Sequence, residues 1–515
     1  MTRKSRRILL AAIAIAVVIG GAWSLGRLGR PSVDDALAVP RLPQIRPDYS
    51  GITIPPNIAP LNFSILEEGT RFFVRTAAEA GAPFEIVSRS PKITIPADRW
   101  RAMLAANRGK DLRWEIYAEQ DGQWRRYRTV VNRIAEQDID SHLVYRLIPP
   151  VHNKWREVAV WQRDLTSYRE SVVLEGTSFG TGCVNCHSFA SNDPGRMLIG
   201  VRSEEFGHSA ILVNEGQVQK IGARFGYTAW HPSGRLAVYS INRVWQFFHA
   251  AAAEVRDVMD VDAGLAYYLL DAQNVKIVPR AADKTRLENY PAWSPDGQYL
   301  YYCSAPILWN SGDPVPPARY AEVKYDLMRI RYDLAADHWG DPEPVLSSEQ
   351  TGLSILQPRI SPDGRFLLFC MCRYGGFPVY QPSSDLYLLD LRTGAYTKLE
   401  VNSEFSESWH SWSSNGRWIA FSSKRRGGLF TRCYLSFVDD AGKSHKPWLV
   451  PQRDPEHYEA LLKTISVPEL ITGPVPVTGE ILTQAVVSDR AVEVDAVSGA
   501  SGGAGRGEPW QPTRE

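Results

Sequence analysis

The apolar residues of this chain fall mostly into short alternating runs, the period of half-buried strands, and seldom into helical spacing. Residues 72–74, 84–87 and 93–95 begin the series. Residues 112–116 alternate cleanly, Asp121-Gly122 marks a turn, 124–131 forms the return strand and 143–147 another. Short strands at this spacing predict a β-sandwich of fibronectin or immunoglobulin type across residues 61–172. The stretch before it, residues 31–60, is weakly periodic and carries Pro40, Pro43, Pro47, Pro55, Pro56 and Pro60, which reads as an extended linker.

Further along, the pattern repeats. Ala229-Trp230-His231-Pro232-Ser233-Gly234 runs into an apolar strand, and so does Ala292-Trp293-Ser294-Pro295-Asp296-Gly297. Ile360-Ser361-Pro362-Asp363-Gly364 and Ser411-Trp412-Ser413-Ser414-Asn415-Gly416 do the same. Each copy is a strand, a tight turn and an apolar strand. Third strands follow at 326–330 and 384–390, and Thr393-Gly394 turns the latter into a fourth. Four-stranded units repeated this way close radially into a β-propeller, here over residues 223–450. A degenerate copy with its turn at 192–195 precedes them, so residues 173–222 read as a first blade and five blades are detectable. Material for a sixth lies near residues 155–174 or toward the C-terminus. The expected fold class is all-β.

Helical signals are few. Residues 249–255, inside an insertion at 242–262, have helical character and are placed to cover one propeller face. A helix at 454–464, with Asp454 as N-cap and Pro455 at its first position, belongs to a C-terminal extension over 451–486. Residues 487–515, dominated by Ser, Gly, Ala and charge, read as a disordered tail.

Composition changes this picture little. A chain of 515 residues implies two or more domains, and 16 Trp with frequent Pro and Gly suit a turn-rich β protein. The formal charge of +1 gives no ground for nucleic-acid binding. The N-terminus adds more. Arg3, Lys4, Arg6 and Arg7 precede an apolar run at 8–19 that weakens through 20–25, so residues 1–30 read as a signal peptide or an uncleaved membrane anchor. The anchor reading keeps the basic residues in the cytoplasm and places the remainder in a bacterial periplasm, tethered to the inner membrane.

The candidate chemistry lies in Cys183-Val184-Asn185-Cys186-His187, a C-x-x-C-H pentapeptide of the kind that attaches a c-type haem. Two thiols bond the porphyrin, and the histidine that directly follows supplies an imidazole to iron. The competing readings are a redox pair or half a zinc site, and no second C-x-x-C completes the latter. Met197, His208 and His249 are candidates for the distal iron position. Met197 on a neighbouring strand would lie only about 5 Å from His187 between Cα atoms, too close to clamp a ring between them. Cys303, Cys370, Cys372 and Cys433 carry no spacing signature and read as buried free thiols. Gly176-Thr177-Ser178-Phe179-Gly180 matches a nucleophile-elbow pattern, yet no helix or triad context follows it. Asn62-Phe63-Ser64 fits a glycosylation sequon.

The repeated Trp-Ser-Pro-Asp-Gly copies and the strand Asp385-Leu386-Tyr387-Leu388-Leu389-Asp390 resemble the TolB-like, WD40-like repeats of bacterial envelope propellers. With Cys183 to His187 just ahead, residues 180–450 are similar to haem-bearing TolB-like proteins. The resemblance implies a propeller that serves as a binding platform, with Cys183, Cys186 and His187 holding one haem c. The functions expected are single-electron transfer with an envelope redox partner or complex subunit, an envelope scaffold with a structural or sensory haem, or a peroxidase-like enzyme with an open iron site.

Overall fold

The computed structural model describes residues 31–150, 157–252, 254–310 and 312–494. Four four-stranded sheets and one eight-stranded sheet, whose halves join at the single bridge between Ala263 and Leu287, are arranged as the six four-stranded blades of a propeller. Blade 2 comprises Gly182–Ala190, Asp193–Ser203, Gly207–Asn214 and Gln217–Ile221, and blade 3 comprises Thr228–Trp230, Leu236–Phe248, Arg256–Leu269 and Asn274–Ile277. Blade 4 is Arg286–Trp293, Tyr299–Pro306, Asp326–Asp333 and His338–Leu346. Blade 5 is Ser354–Ile360, Phe366–Cys372, Asp385–Asp390 and Tyr396–Lys398, and blade 6 is Glu407–Trp412, Trp418–Ser423, Arg432–Phe437 and Trp448–Leu449. The sequence copies supply the first two strands of blades 3 to 6, joined by turns whose glycines Gly234, Gly297, Gly364 and Gly416 all take positive φ.

Blade 1 closes the ring and draws on both of the regions expected to supply a sixth blade. Its inner strand is Thr464–Ile471, from the C-terminal extension, paired antiparallel with His142–Ile148. Ala159–Asp164 and Glu170–Glu175 complete it. The strand expected at 143–147 therefore belongs to the propeller, and the N-terminal domain ends near residue 140 rather than 172. Its apolar face explains the change, because Val144 packs with Val184, Ile199 and Ile471 in the core shared with blade 2.

The N-terminal domain has a seven-stranded sheet, a separate three-stranded sheet and one helix, Ala97–Ala106. Residues 31–60 are no linker. Leu37–Val39 and Thr53–Ile54 add parallel strands to the larger sheet, and Tyr49, Ile52, Ile54 and Ile58 are buried. The domain docks on blade 6. Tyr49 donates to the Leu449 carbonyl at 3.2 Å, Ser414 bonds Asp140 through hydroxyl and backbone, and Trp418 Nε1 donates to the Asp138 carbonyl.

The insertion at 242–262 is a β-hairpin extension, since Leu236–Phe248 and Arg256–Leu269 pair along their whole length, so the helical expectation there fails. Ala-rich residues near the tip mimic helix composition, while the arms supply the strand partners. The helix expected at 454–464 shrinks to His457–Ala460, and a second, Gly479–Val487, is capped by Thr478. Residues 488–494 are not loose, because Val492 bridges Ile221 of blade 2. The tail beyond 494 and the N-terminal segment 1–30 lie outside the described residues. Among the described residues no helix is long and apolar enough to cross a membrane.

Candidate functional site

All six inner strands carry the same irregularity at the same place. One residue is extra relative to the neighbouring strand at Cys186 in blade 2, Tyr290-Pro291 in blade 4, Gln357-Pro358 in blade 5, Trp409 in blade 6 and Val467-Pro468 in blade 1. In blade 3, Ser240 bonds both Gly226 and Tyr227, which sets the bulge at Tyr227. Each bulge lies three residues before the end-of-strand position held by Phe189, Trp230, Trp293, Ile360, Trp412 or Leu470. Tyr290, Gln357, Trp409 and Val467 take φ of 54°, 58°, 46° and 50°, a region that non-glycine residues seldom occupy. Such strain persists where surrounding packing over-determines it, and it clusters at ligand sites.

A bulge re-aims side chains, and those of Tyr227, Tyr290, Gln357, Trp409 and Val467 converge on the propeller axis. With His187 and His410 they line a small chamber of about 40 Å³. The pentapeptide thus occupies blade 2's share of the axial ring, and His187 is the counterpart of Thr228, Pro291, Pro358, His410 and Pro468. His187 is 3 % exposed, and neither ring nitrogen makes a hydrogen bond of good geometry. Burial, with the nearby positive charge of Arg146 and Arg359, pushes its pKa down to about 3, so the ring is a neutral imidazole at neutral pH. That is the form able to ligate a metal. His410, which sequence reasoning missed, is likewise held neutral by burial and Arg359, with a pKa of about 3. Its Nε2–H donates to the Leu368 carbonyl at 3.1 Å, and Nδ1 faces the Cys370 thiol at 3.7 Å.

The chamber's two ends differ. On the side of the repeat turns an ion pair, Arg359 to Glu469 at 3.2 Å, separates it from a vestibule of about 370 Å³. Arg359 and Glu469 line both spaces. Phe189, Trp230, Trp293 and Trp412 wall the vestibule. Trp230 Nε1 donates to the Ser188 carbonyl and Trp412 Nε1 to that of Arg359, each latching one blade to its predecessor. On the opposite side the long hairpin of blade 3 reaches across to blades 4, 5 and 6. Phe247 packs edge-on against Tyr320, Asp257 accepts from Tyr374 at 2.8 Å, Glu254 pairs with Lys424, and Asp260 accepts from Tyr325 at 2.9 Å.

The structure brings only some of the candidates together. Met197 is fully buried in the core between blades 1 and 2, on the strand next to His187. His249 sits at the hairpin tip with Asp257 at 3.2 Å and does not line the chamber. His208 is on the second-last strand of blade 2, opposite Arg202. Cys303, Cys370, Cys372 and Cys433 are buried free thiols, as expected. Ser178 bonds Thr483 and the Glu175 carbonyl, which gives it no general base. Asn62 is 1 % exposed, with its amide bonded to the Arg453 carbonyl and Ile95 N–H, so it is no glycan acceptor.

The donor set suits haem c chemically, with two thiols and a neutral imidazole in sequence. The strand ladder is less accommodating. Cys183 pairs with Arg202 and His187 with Ile199, and the intervening bulge turns these two side chains to opposite faces of the sheet. A chamber of about 40 Å³ holds a water-sized ligand, not a macrocycle. One ring bonded at Cys183 and ligated by His187 requires residues 183–187 outside this ladder. As an inner strand, Gly182–Ala190 is paired on one side only. Among the described residues no group of three or more His, Cys, Asp or Glu side chains is arranged for a metal ion.

No protein-family profile matches the chain. An uncharacterized protein of Agrobacterium fabrum is 29 % identical over 166 residues, 27 % of this chain and 52 % of that protein. The chain therefore spans about half the length of the curated relative it matches. Among solved structures, TolB from Acinetobacter baumannii aligns with a TM-score of 0.41 at 14 % identity, covering 73 % of this chain and 85 % of TolB. An oligogalacturonate lyase from Vibrio parahaemolyticus aligns at 0.31 and 12 %, covering 56 % and 85 %. The propeller assignment rests on the six blades themselves.

Proposed function

We propose that this chain is an exported c-type cytochrome with a β-propeller body, tethered at the inner membrane of a bacterial envelope. Cys183 and Cys186 would hold the haem through thioether links, and His187 would supply an imidazole nitrogen to its iron. Haem bound there supplies one-electron chemistry, and the partner is an envelope redox protein or complex subunit. The observation that carries this reading is His187 itself: a neutral imidazole, buried with only poorly aligned contacts to the Val144 and Val467 backbone, directly after C-x-x-C at the axial bulge. A buried polar ring without a well-aligned partner costs stability, and a metal bond removes that cost. The ring would be held by residues 183–187 displaced from this ladder, and within the ladder burial, with Arg146 and Arg359 nearby, keeps the His187 imidazole unprotonated.

The test is the full chain matured in a host with a working haem-ligation apparatus. A red protein one haem heavier than the bare chain, low-spin when reduced and indifferent to carbon monoxide, is expected. Colourless protein sinks the cytochrome reading. A second reading, an envelope binding platform with a structural or sensory haem, is favoured by the Trp-walled vestibule and is the outcome if the haem proves redox-silent.

A further inference from the structure

The axial chamber carries a charge that the haem assignment leaves unused. Two guanidinium groups, Arg146 and Arg359, line it against one carboxylate, Glu469, and the imidazoles in its wall are neutral. Arg359 is paired with Glu469 at 3.2 Å. Arg146 is not paired: its Nε is buried without a hydrogen-bond partner, and among the described residues it meets no carboxylate. Its charge lies at the chamber, because after burial it is the largest influence keeping His187 unprotonated. The lining therefore holds one cation more than it has carboxylates. Charges inside proteins are normally compensated, so a leftover guanidinium marks a missing anion.

A second observation is independent of charge. Gln357 lines the same chamber and is 5 % exposed. Its Oε1 accepts from the Trp409 backbone N–H at 2.8 Å, while Nε2 has no hydrogen-bond partner. The backbone bond demands oxygen on that side of the amide, so the group cannot flip and its free N–H donors stay where they are. Buried donors are nearly always satisfied, and this one lacks an acceptor.

We propose that the axial chamber binds one small monovalent anion of the halide class, held by the Arg146 guanidinium and the Gln357 amide N–H. Charge sets the valence, since one negative charge neutralises the lining and two would overshoot. Size sets the class, since about 40 Å³ admits a water-sized ion and no phosphate or carboxylate-bearing molecule. A water molecule would satisfy the donors and leave the guanidinium uncompensated. The proposal goes beyond the haem assignment: Arg146, Gln357 and Arg359 all lie outside residues 183–187, so colourless protein keeps the site.

Thermal unfolding of the full chain tests it, with protein made both with and without a haem-ligation apparatus, in buffers whose anion is either bulky gluconate or chloride at equal ionic strength. Chloride at about ten times its Kd should raise the midpoint by about 1–3 °C in both preparations. Arg146→Gln removes the uncompensated charge, so in gluconate it should be at least as stable as wild type, and chloride should no longer move its midpoint. Gln357→Glu keeps the acceptor for Trp409 and supplies the negative charge from within, so it should melt above wild type in gluconate and also ignore chloride. Crystals grown with bromide should show an anomalous peak between Arg146 and Gln357. A wild-type midpoint indifferent to chloride, an equal chloride response in Arg146→Gln, or bromide crystals with no peak in the chamber overturns the site. A response seen only in haem-bearing protein also overturns it, because the iron would then be what binds the halide.

Discussion

The two ends of the axial chamber are built on opposite principles. The vestibule end is made by repetition: each blade contributes the last residues of its inner strand and the turn that follows, so six equivalent positions form one wall. The hairpin end is made by a single excursion of blade 3, whose residues reach unrelated partners such as Tyr320, Tyr374 and Lys424. Repetition distributes the load over many similar contacts. The excursion concentrates it in a few buried charged and hydroxyl groups.

Removing a shared element should therefore do most damage. Deletion of Thr464–Ile471 strips blade 1 of its inner strand and leaves His142–Ile148 unpaired at the ring's seam. The expected outcome is loss of cooperative unfolding and rapid proteolysis, and a variant that still melts in one sharp transition would show that the ring does not depend on this closure.

Smaller effects separate the two ends. Lys424→Ala leaves Glu254 without its cation in a site where Lys424 is 8 % exposed, a loss of about 2–3 kcal/mol by analogy with broken buried pairs. Because that pair anchors only the hairpin tip, amide exchange should accelerate at residues 249–258 and leave the vestibule protected. Exchange that rises equally at both ends would contradict the division. Glu469→Gln at the other end should cost about 1–2 kcal/mol, less because Arg359 is partly solvated, and its effect should spread over blades 1, 2 and 5.

Acid gives a subtler contrast. His410 has a folded pKa of about 3 against an ordinary value near 6.5, so the unfolded chain binds its proton first as pH falls. Its neutral burial destabilises progressively from pH 6.5 down to 3. His410→Gln should flatten the stability profile there by up to about 1.4 kcal/mol per pH unit. Glu288, raised to about 8 by burial, acts in the opposite sense. It is protonated first in the folded state, so stability from that group grows as pH falls from 8 toward 4.5. Glu288→Gln should remove that rise and leave the His410 slope in place. The smallest change expected is Trp412→Phe, about 1 kcal/mol for the lost blade-to-blade hydrogen bond, measurable by denaturant titration.

The same division explains what could be read from the sequence. Gly234, Gly297, Gly364 and Gly416 announce turns because positive φ demands glycine there, so blades 3 to 6 were legible. The C-x-x-C-H spacing of residues 183–187 stands out in the sequence because it is local. Blade 1 was half hidden: its inner strand has no turn linking it to its partner, and only tertiary pairing reveals it. Residues 31–60 misled because proline content suggested a linker, whereas Ile52, Ile54 and Ile58 bury against the N-terminal core. The hairpin misled because Ala250 to Ala252 look helical in isolation, while Val258 and Met259 bury in strand geometry. Arg146, Arg359, His410 and Glu469 carry no motif at all. Aligning the copies three residues before Phe189, Trp230, Trp293, Ile360 and Trp412 would have set Cys186 beside Tyr227, Tyr290, Gln357 and Trp409, and His187 beside His410.

The seam of blade 1 also imposes an order of events on synthesis. Its inner strand leaves the ribosome long after residues 183–187, so the growing chain carries an unsealed ring for most of its emergence. During that interval the thiol of Cys183, buried in the finished propeller, stays open to solvent.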